Sequence, residues 1–206
     1  MSFVNLNFVT VSEPISEKNR IFENCDIHFD GNITEGGLTF RNCTISNVSA
    51  SVNNCIFENC RIDCENLTNC KLINCSAISV YDGIIKNCKF TMPSIISASR
   101  CTISNCEFSN ITINGTDECG LLLAEDTSIS GCYFHDIRLT GGCYLISAFG
   151  DCCVTNCGFT DCSTSRKDLK VIYCEDAVGK HFKETVTYDI IDDSCAGLDD
   201  IQLIDN

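Results

Sequence analysis

Apolar residues along this chain recur in a short phrase that does not have helical spacing. A cysteine is followed two positions later by an apolar residue, then by Asn or Asp and a further apolar residue. Cys43-Thr44-Ile45-Ser46-Asn47-Val48, Cys55-Ile56-Phe57-Glu58-Asn59-Cys60, Cys101-Thr102-Ile103-Ser104-Asn105-Cys106 and Cys132-Tyr133-Phe134-His135-Asp136-Ile137 are four instances. Residues two apart on an extended strand point to one face, so the cysteine and the first apolar residue share a side. The next apolar residue lies three further on and breaks the alternation. The Asn or Asp before it predicts a corner, because a short side chain that bonds its own backbone tolerates left-handed φ. A helix would need a 3.6-residue period and fewer β-branched residues and asparagines.

The phrases repeat at fixed steps. Near the N-terminus Asn24-Cys25 and Asn42-Cys43 are 18 apart, as are Asn69-Cys70, Asn87-Cys88 and Asn105-Cys106. Further along the step is 25: Ile129 with Val154, Cys132 with Cys157, Phe134 with Phe159, and Asp136 with Asp161. The same step aligns Leu121, Ile146 and Val171; Leu123, Ala148 and Tyr173; and Asp126, Asp151 and Asp176. Strands on successive coils then pair in parallel about 4.8 Å apart and like side chains stack. The predicted fold is all-β, a right-handed parallel β-helix (solenoid) with Cys, Ile, Leu and Phe ladders inside and terminal caps. It forms one domain over 1–206: a capping strand within 1–20, in which Val4, Leu6 and Phe8 share a face, coils over 21–176, and an acidic cap over 177–206.

The nineteen cysteines fit this picture as small buried hydrophobes. An odd number cannot pair completely, and zinc sites with so few histidines would need closer Cys spacings. Thiols so regularly placed persist where they stay reduced, which points to the cytoplasm or an anaerobic extracellular setting. The N-terminus shows no signal-peptide pattern, and no apolar run is long enough to cross a membrane. Fourteen Lys and Arg against 28 Asp and Glu give a formal charge of −14, which repels phosphate backbones and argues against direct nucleic-acid binding.

The repeats Thr102-Ile103-Ser104-Asn105-Cys106-Glu107-Phe108 and Ser128-Ile129-Ser130-Gly131-Cys132-Tyr133-Phe134 resemble those of the pectate-lyase-like parallel β-helix superfamily, over about 150 residues of core periodicity. Cys55, Cys60, Cys70 and Cys75 fall in five-residue register with Glu65 in the gap. That short stretch resembles pentapeptide-repeat proteins, whose coils are square.

Three groups of residues could carry chemistry. Asp126, Asp151 and Asp176, with Glu125 and Glu175 beside two of them, would stack as carboxylates that cap turns or hold Ca²⁺ through hard oxygen ligands. Arg166, Lys167, Lys170, Lys180 and Lys183 crowd one stretch. If it lay beside the Asp ladder, the pectate-lyase resemblance would imply a calcium-assisted lyase with Arg166 or Lys170 as base. His135 sits with Asp136 and Arg138, although neighbours on a strand should point to opposite faces.

These features suggest a non-enzymatic solenoid that presents an acidic surface to a protein with a basic surface. Pentapeptide-repeat proteins that imitate duplex DNA would make a phage- or bacterium-encoded inhibitor a sub-case. A calcium-dependent polysaccharide lyase, and a fibre or surface module that forms homo-oligomers, are the alternatives.

Overall fold

The computed structural model describes residues 2–4, 9–11, 20–29, 37–46, 51–92, 95–114, 120–140, 144–164, 172–175 and 187–191, those at 2–4, 9, 11, 164, 172–175 and 187–191 as backbone only. Among the described residues every regular element is a strand, and each strand pairs in parallel with its equivalent on the next coil. The architecture is the expected all-β parallel β-helix with internal ladders.

From Ser51 onward a coil has at least three sides. The first carries a column that runs Phe22, Phe40, Phe57, Leu72, Phe90, Phe108, Phe134, Phe159. The second stacks Ile27, Ile45, Ile62, Ile78, Ile96, Leu122 and Ile146. The third stacks Val52, Leu67, Ile85, Ile103, Ile129 and Val154. All these side chains are buried. The segment whose cysteines keep five-residue register therefore closes in 15 residues, Phe57 to Leu72, with three sides instead of the square coil its resemblance implied.

Corners are made as the sequence predicts. Asn24, Asn42, Asn54, Asn59, Asn69, Asn74, Asn87, Asn105, Asn110 and Asn156 all have φ between 51° and 55°, and Asp136 and Asp161 have 54° and 50°. This left-handed bend costs most L-residues about 1–2 kcal/mol, and Asn and Asp less. At most corners the next residue is a buried cysteine. Its thiol donates to the carbonyl two positions back: Cys43 Sγ to Arg41 O at 3.2 Å, Cys101 to Ser99 O at 3.1 Å, Cys157 to Thr155 O at 3.4 Å. Thr127 takes the same place on one coil, with Oγ1 donating to Glu125 O at 2.7 Å and to Ala98 O at 3.3 Å. The position thus selects a small side chain with one donor, and cysteine satisfies it with the most apolar surface. Of the fifteen cysteines whose side chains are described, all but Cys153 are buried.

Coil width changes along the stack. Steps of 18 and 17 residues lead from Phe22 through Phe40 to Phe57, whereas Phe108 to Phe134 takes 26 and Phe134 to Phe159 takes 25. The added residues continue the first-side strands past their corner. Glu107–Asn114, Tyr133–Thr140 and Cys153–Thr164 run on beyond Asn110, Asp136 and Asp161, with Ile111, Ile137 and Cys162 stacked inside. Wide coils therefore have an additional side between the first and second.

The structure departs from expectation at three places. Leu122 pairs with Ile146, which pairs with Ile172; Ala124 pairs with Ala148 and that with Cys174, and Glu125 with Phe149 and that with Glu175. The steps on this side are 24 and then 26, so the even step of 25 put Leu121, Leu123 and Asp126 opposite the wrong partners. The cause is one extra residue at a corner: Gly150, with φ of 65°, makes the bend, and Asp151 follows it before the buried Cys152. Near the N-terminus, Ser2–Val4 pairs with Ile21–Glu23 on the first side and Val9–Val11 with Asp26–Phe29 on the second. The expected capping strand is thus two sides of a coil. Beyond Asp176, Thr187–Ile191 still pairs in parallel with Cys153–Thr164, so solenoid pairing reaches into the predicted acidic cap.

Candidate binding surface

The additional side of the wide coils brings together residues the repeat leaves variable. Its outer surface is a grid set by strand register. Asn110, Asp136 and Asp161 occupy the corner column, and Thr112, Arg138 and Ser163 stack in the column two residues on. These six line an open cavity of about 680 Å³. Asp136, Arg138 and Asp161 are exposed.

Asp136 is held from the side. His135 Nδ1 lies 2.9 Å from Asp136 Oδ2, and its Nε2 lies 3.4 Å from Glu107 Oε1 on the preceding coil. Sequence reasoning set these neighbours on opposite faces, but the left-handed φ of Asp136 breaks the alternation and turns its carboxylate back toward the imidazole. Glu107 Oε2 accepts from Lys89 Nζ at 2.5 Å. Lys89 and then His135 hold the Glu107 carboxyl below the usual carboxylate range, against the upward pull of burial. Tyr133 lies across Gly158, where a Cβ would strike its ring. The Tyr133 hydroxyl donates to Thr160 Oγ1 at 2.8 Å.

The other predicted residues fare differently. Asp126 lies in register with Gly150 and not with Asp151, and its Oδ1 accepts the Asp151 backbone N–H at 2.9 Å. Asp126 thereby caps the corner of the coil above, while Asp151 is exposed beside it. Asp176 and the basic residues Arg166, Lys167, Lys170, Lys180 and Lys183 lie outside the described residues. Among the described residues no group of three His, Cys, Asp or Glu side chains is placed to hold a metal ion. Asp161, Asn110, Thr112 and Ser163 were not singled out from the sequence, although the 25-residue step pairing Asp136 with Asp161 was the signal for them.

Charge is segregated along the axis. From Arg20 to Cys106 the sequence holds eight Asp and Glu and seven Lys and Arg, whereas from Glu107 to Thr164 it holds eight acidic residues and Arg138 alone. The narrow coils are close to neutral and carry exposed asparagine ladders. Asn42 donates to Asn24 at 3.1 Å, Asn59 to Asn42 at 3.1 Å and Asn74 to Asn59 at 2.7 Å. On two of the three wide coils Asp136 and Asp161 replace Asn at the corner after the first side, which keeps the bend and adds the charge.

No protein-family model matches the chain, and no curated protein does. Among solved structures, QnrB1, a plasmid-mediated fluoroquinolone resistance protein, aligns over 85% of this chain. Two trypsin-treated forms are covered over 89% and 92% of their length, at 13% and 14% identity, with TM-scores of 0.31 and 0.29. The full-length form is covered over 92% at 12% identity, with a TM-score of 0.24. Likeness at that level carries no argument about what this chain does, and the pectate-lyase-like resemblance is not shown.

Proposed function

We propose that this chain is a non-enzymatic interaction solenoid whose wide coils present an acidic surface to a protein partner with a basic surface. The supporting observation is the segregation of charge. Four exposed carboxylates, Asp136 and Asp161 stacked at one corner and Asp126 and Asp151 beside each other near another, stand on a stiff stack, and Arg138 is the one basic residue between Glu107 and Thr164. Four carboxylates over three wide coils, each rising about 4.8 Å, give one charge per about 3.6 Å of axis, against about 1.7 Å per phosphate along duplex DNA. Carboxylates held on a stiff core at about half the charge density of the duplex suit a basic surface that follows phosphates. In its finer form the proposal is a DNA-mimic-type inhibitor from a phage or bacterium that occupies a DNA-binding enzyme.

The test is displacement of a fluorescent duplex from a panel of purified DNA-binding enzymes, followed by anisotropy. The chain should displace the duplex from a member of the panel at low salt and lose potency steeply as salt rises. A variant carrying Asp126→Asn, Asp136→Asn, Asp151→Asn and Asp161→Asn should need at least about tenfold more protein, since each exposed charge contributes modestly and the four act together. No displacement from any member, or equal potency in the variant, refutes the proposal.

A further inference from the structure

We propose that the buried thiol column at the corner between the third and first sides takes up copper(I), one ion between each pair of successive cysteines. Cys70, Cys88, Cys106, Cys132 and Cys157 each follow the residue with left-handed φ that makes this corner. The backbone fixes them in line: Lys89 N donates to Cys70 O and Glu107 N to Cys88 O, both at 2.9 Å, Tyr133 N to Cys106 O at 2.8 Å and Gly158 N to Cys132 O at 2.9 Å. Each cysteine thus stands one coil above the last. Their side chains meet as well, since Cys106 interacts through its thiol with Cys88 and Cys132, Cys88 also with Cys70, and Cys132 also with Cys157. All five are buried.

Copper(I) suits this column by ligand type, span and charge. Thiolates select soft cations, and copper(I) accepts two ligands in a line. Two metal–thiolate bonds of about 2.3 Å each span about 4.6 Å, and successive coils lie about 4.8 Å apart. Charge in a dry core is costly, but none accumulates here. Each copper(I) that enters displaces one thiol proton to solvent, so that an S–H···S contact becomes S–Cu–S, with copper and sulfur unchanged in oxidation state. Filling all four gaps leaves one of the five thiols protonated and the column neutral. The displaced protons orphan no acceptor. Lys86 O, Ser104 O and Ser130 O, which the thiols of Cys88, Cys106 and Cys132 reach, also accept the backbone N–H of Asn69, Asn87 and Asn105. Zinc needs four ligands, and among the described residues no three His, Cys, Asp or Glu side chains are placed to share an ion.

The column lies inside the stack and the acidic corners outside it, so the copper site is independent of the proposed docking role. The experiment is to refold the full chain anaerobically with excess copper(I) and a thiol-free reductant, strip loosely held metal with a copper(I) chelator, and measure copper per chain and its sulfur coordination by X-ray absorption. The refolded chain should retain copper with two sulfur neighbours per ion. Cys106→Ser should retain two ions fewer, because Cys106 borders two gaps, and Thr127 on another coil shows that a hydroxyl is accommodated at such a corner. Should that variant fail to refold by circular dichroism, Cys132→Ser, which also borders two gaps, is read instead. Cys64→Ser removes an equally buried thiol whose register partner on the next coil is Val80, and it should retain as much copper as the unaltered chain. No retained copper, three or more sulfurs per ion, or equal losses in Cys64→Ser and the column variant overturns the site.

Discussion

A single asparagine on this solenoid does two jobs that pull its choice in one direction. Asn59, with φ of 55°, makes the bend after the first side, and its amide joins Asn42 and Asn74 in a surface ladder. Replacement by alanine keeps the backbone requirement, removes the side chain that eases it, and cuts both amide contacts. Asn59→Ala should therefore destabilise by about 1–2 kcal/mol, while Asn59→Gly, which adopts positive φ freely, should cost less. Urea denaturation followed by circular dichroism separates the two, and a midpoint for the alanine variant above that of the glycine variant would count against this account. The same logic explains how Asp136 and Asp161 can stand where Asn110 stands one coil earlier. Both side chains tolerate the bend, so charge can change without a change of fold.

At the scale of the element, each first-side strand from Ile21–Glu23 to Cys153–Thr164, except Lys71–Ile73 with its Leu72, contributes one aromatic ring to a stack. Ring centroids are 4.8 Å apart between Phe90 and Phe108 and 4.5 Å between Phe108 and Phe134, with planes within 8° and 5° of parallel. The strand spacing imposes this stacking, since in-register parallel strands place like side chains one above another. Phe108→Ala removes a fully buried ring between two others and should cost about 3–5 kcal/mol. Phe108→Leu should cost clearly less, because Leu72 already occupies the equivalent place between Phe57 and Phe90. Denaturant midpoints for the pair provide the check; equal losses would mean the column does not act as a packed unit.

For the whole molecule, the buried thiols link stability to alkaline pH. Burial raises the Cys55 thiol to about 12 and the Cys75 thiol to about 11 from an ordinary 9.0, and it raises Cys101 and Cys152 as well. A group whose folded pKa lies above its unfolded value keeps its proton longer in the folded state. Its contribution is complete below about pH 9 and is lost as pH rises through 11 to 12. The thermal midpoint should therefore fall steadily from pH 9 to 11, and thiol-reactive reagents at pH 8 should label the buried ladder only after unfolding. A midpoint unchanged across that range would show that the thiols do not feel the interior.

The periodic part of this architecture was legible in the residues themselves. Cys, Ile, Leu and Phe at fixed offsets, with Asn or Asp before each turn, specify strand, face and corner locally, because side-chain alternation and left-handed tolerance are properties of a few neighbouring residues. That is why Cys106, Cys132 and Cys157 all proved buried in the column drawn from spacing alone. Register across a corner is different. It depends on how many residues a bend consumes, and the single added residue at Gly150 and Asp151 moved Asp126 away from the partner that even counting assigned to it. The three-sided section of the narrow coils and the additional side of the wide ones follow from closing the chain on itself around one core, which no local pattern records. The groove between Asp136, Arg138 and Asp161 exists because three coils widen at the same corner. Sequence supplied its residues, and the stacking of those coils made them neighbours.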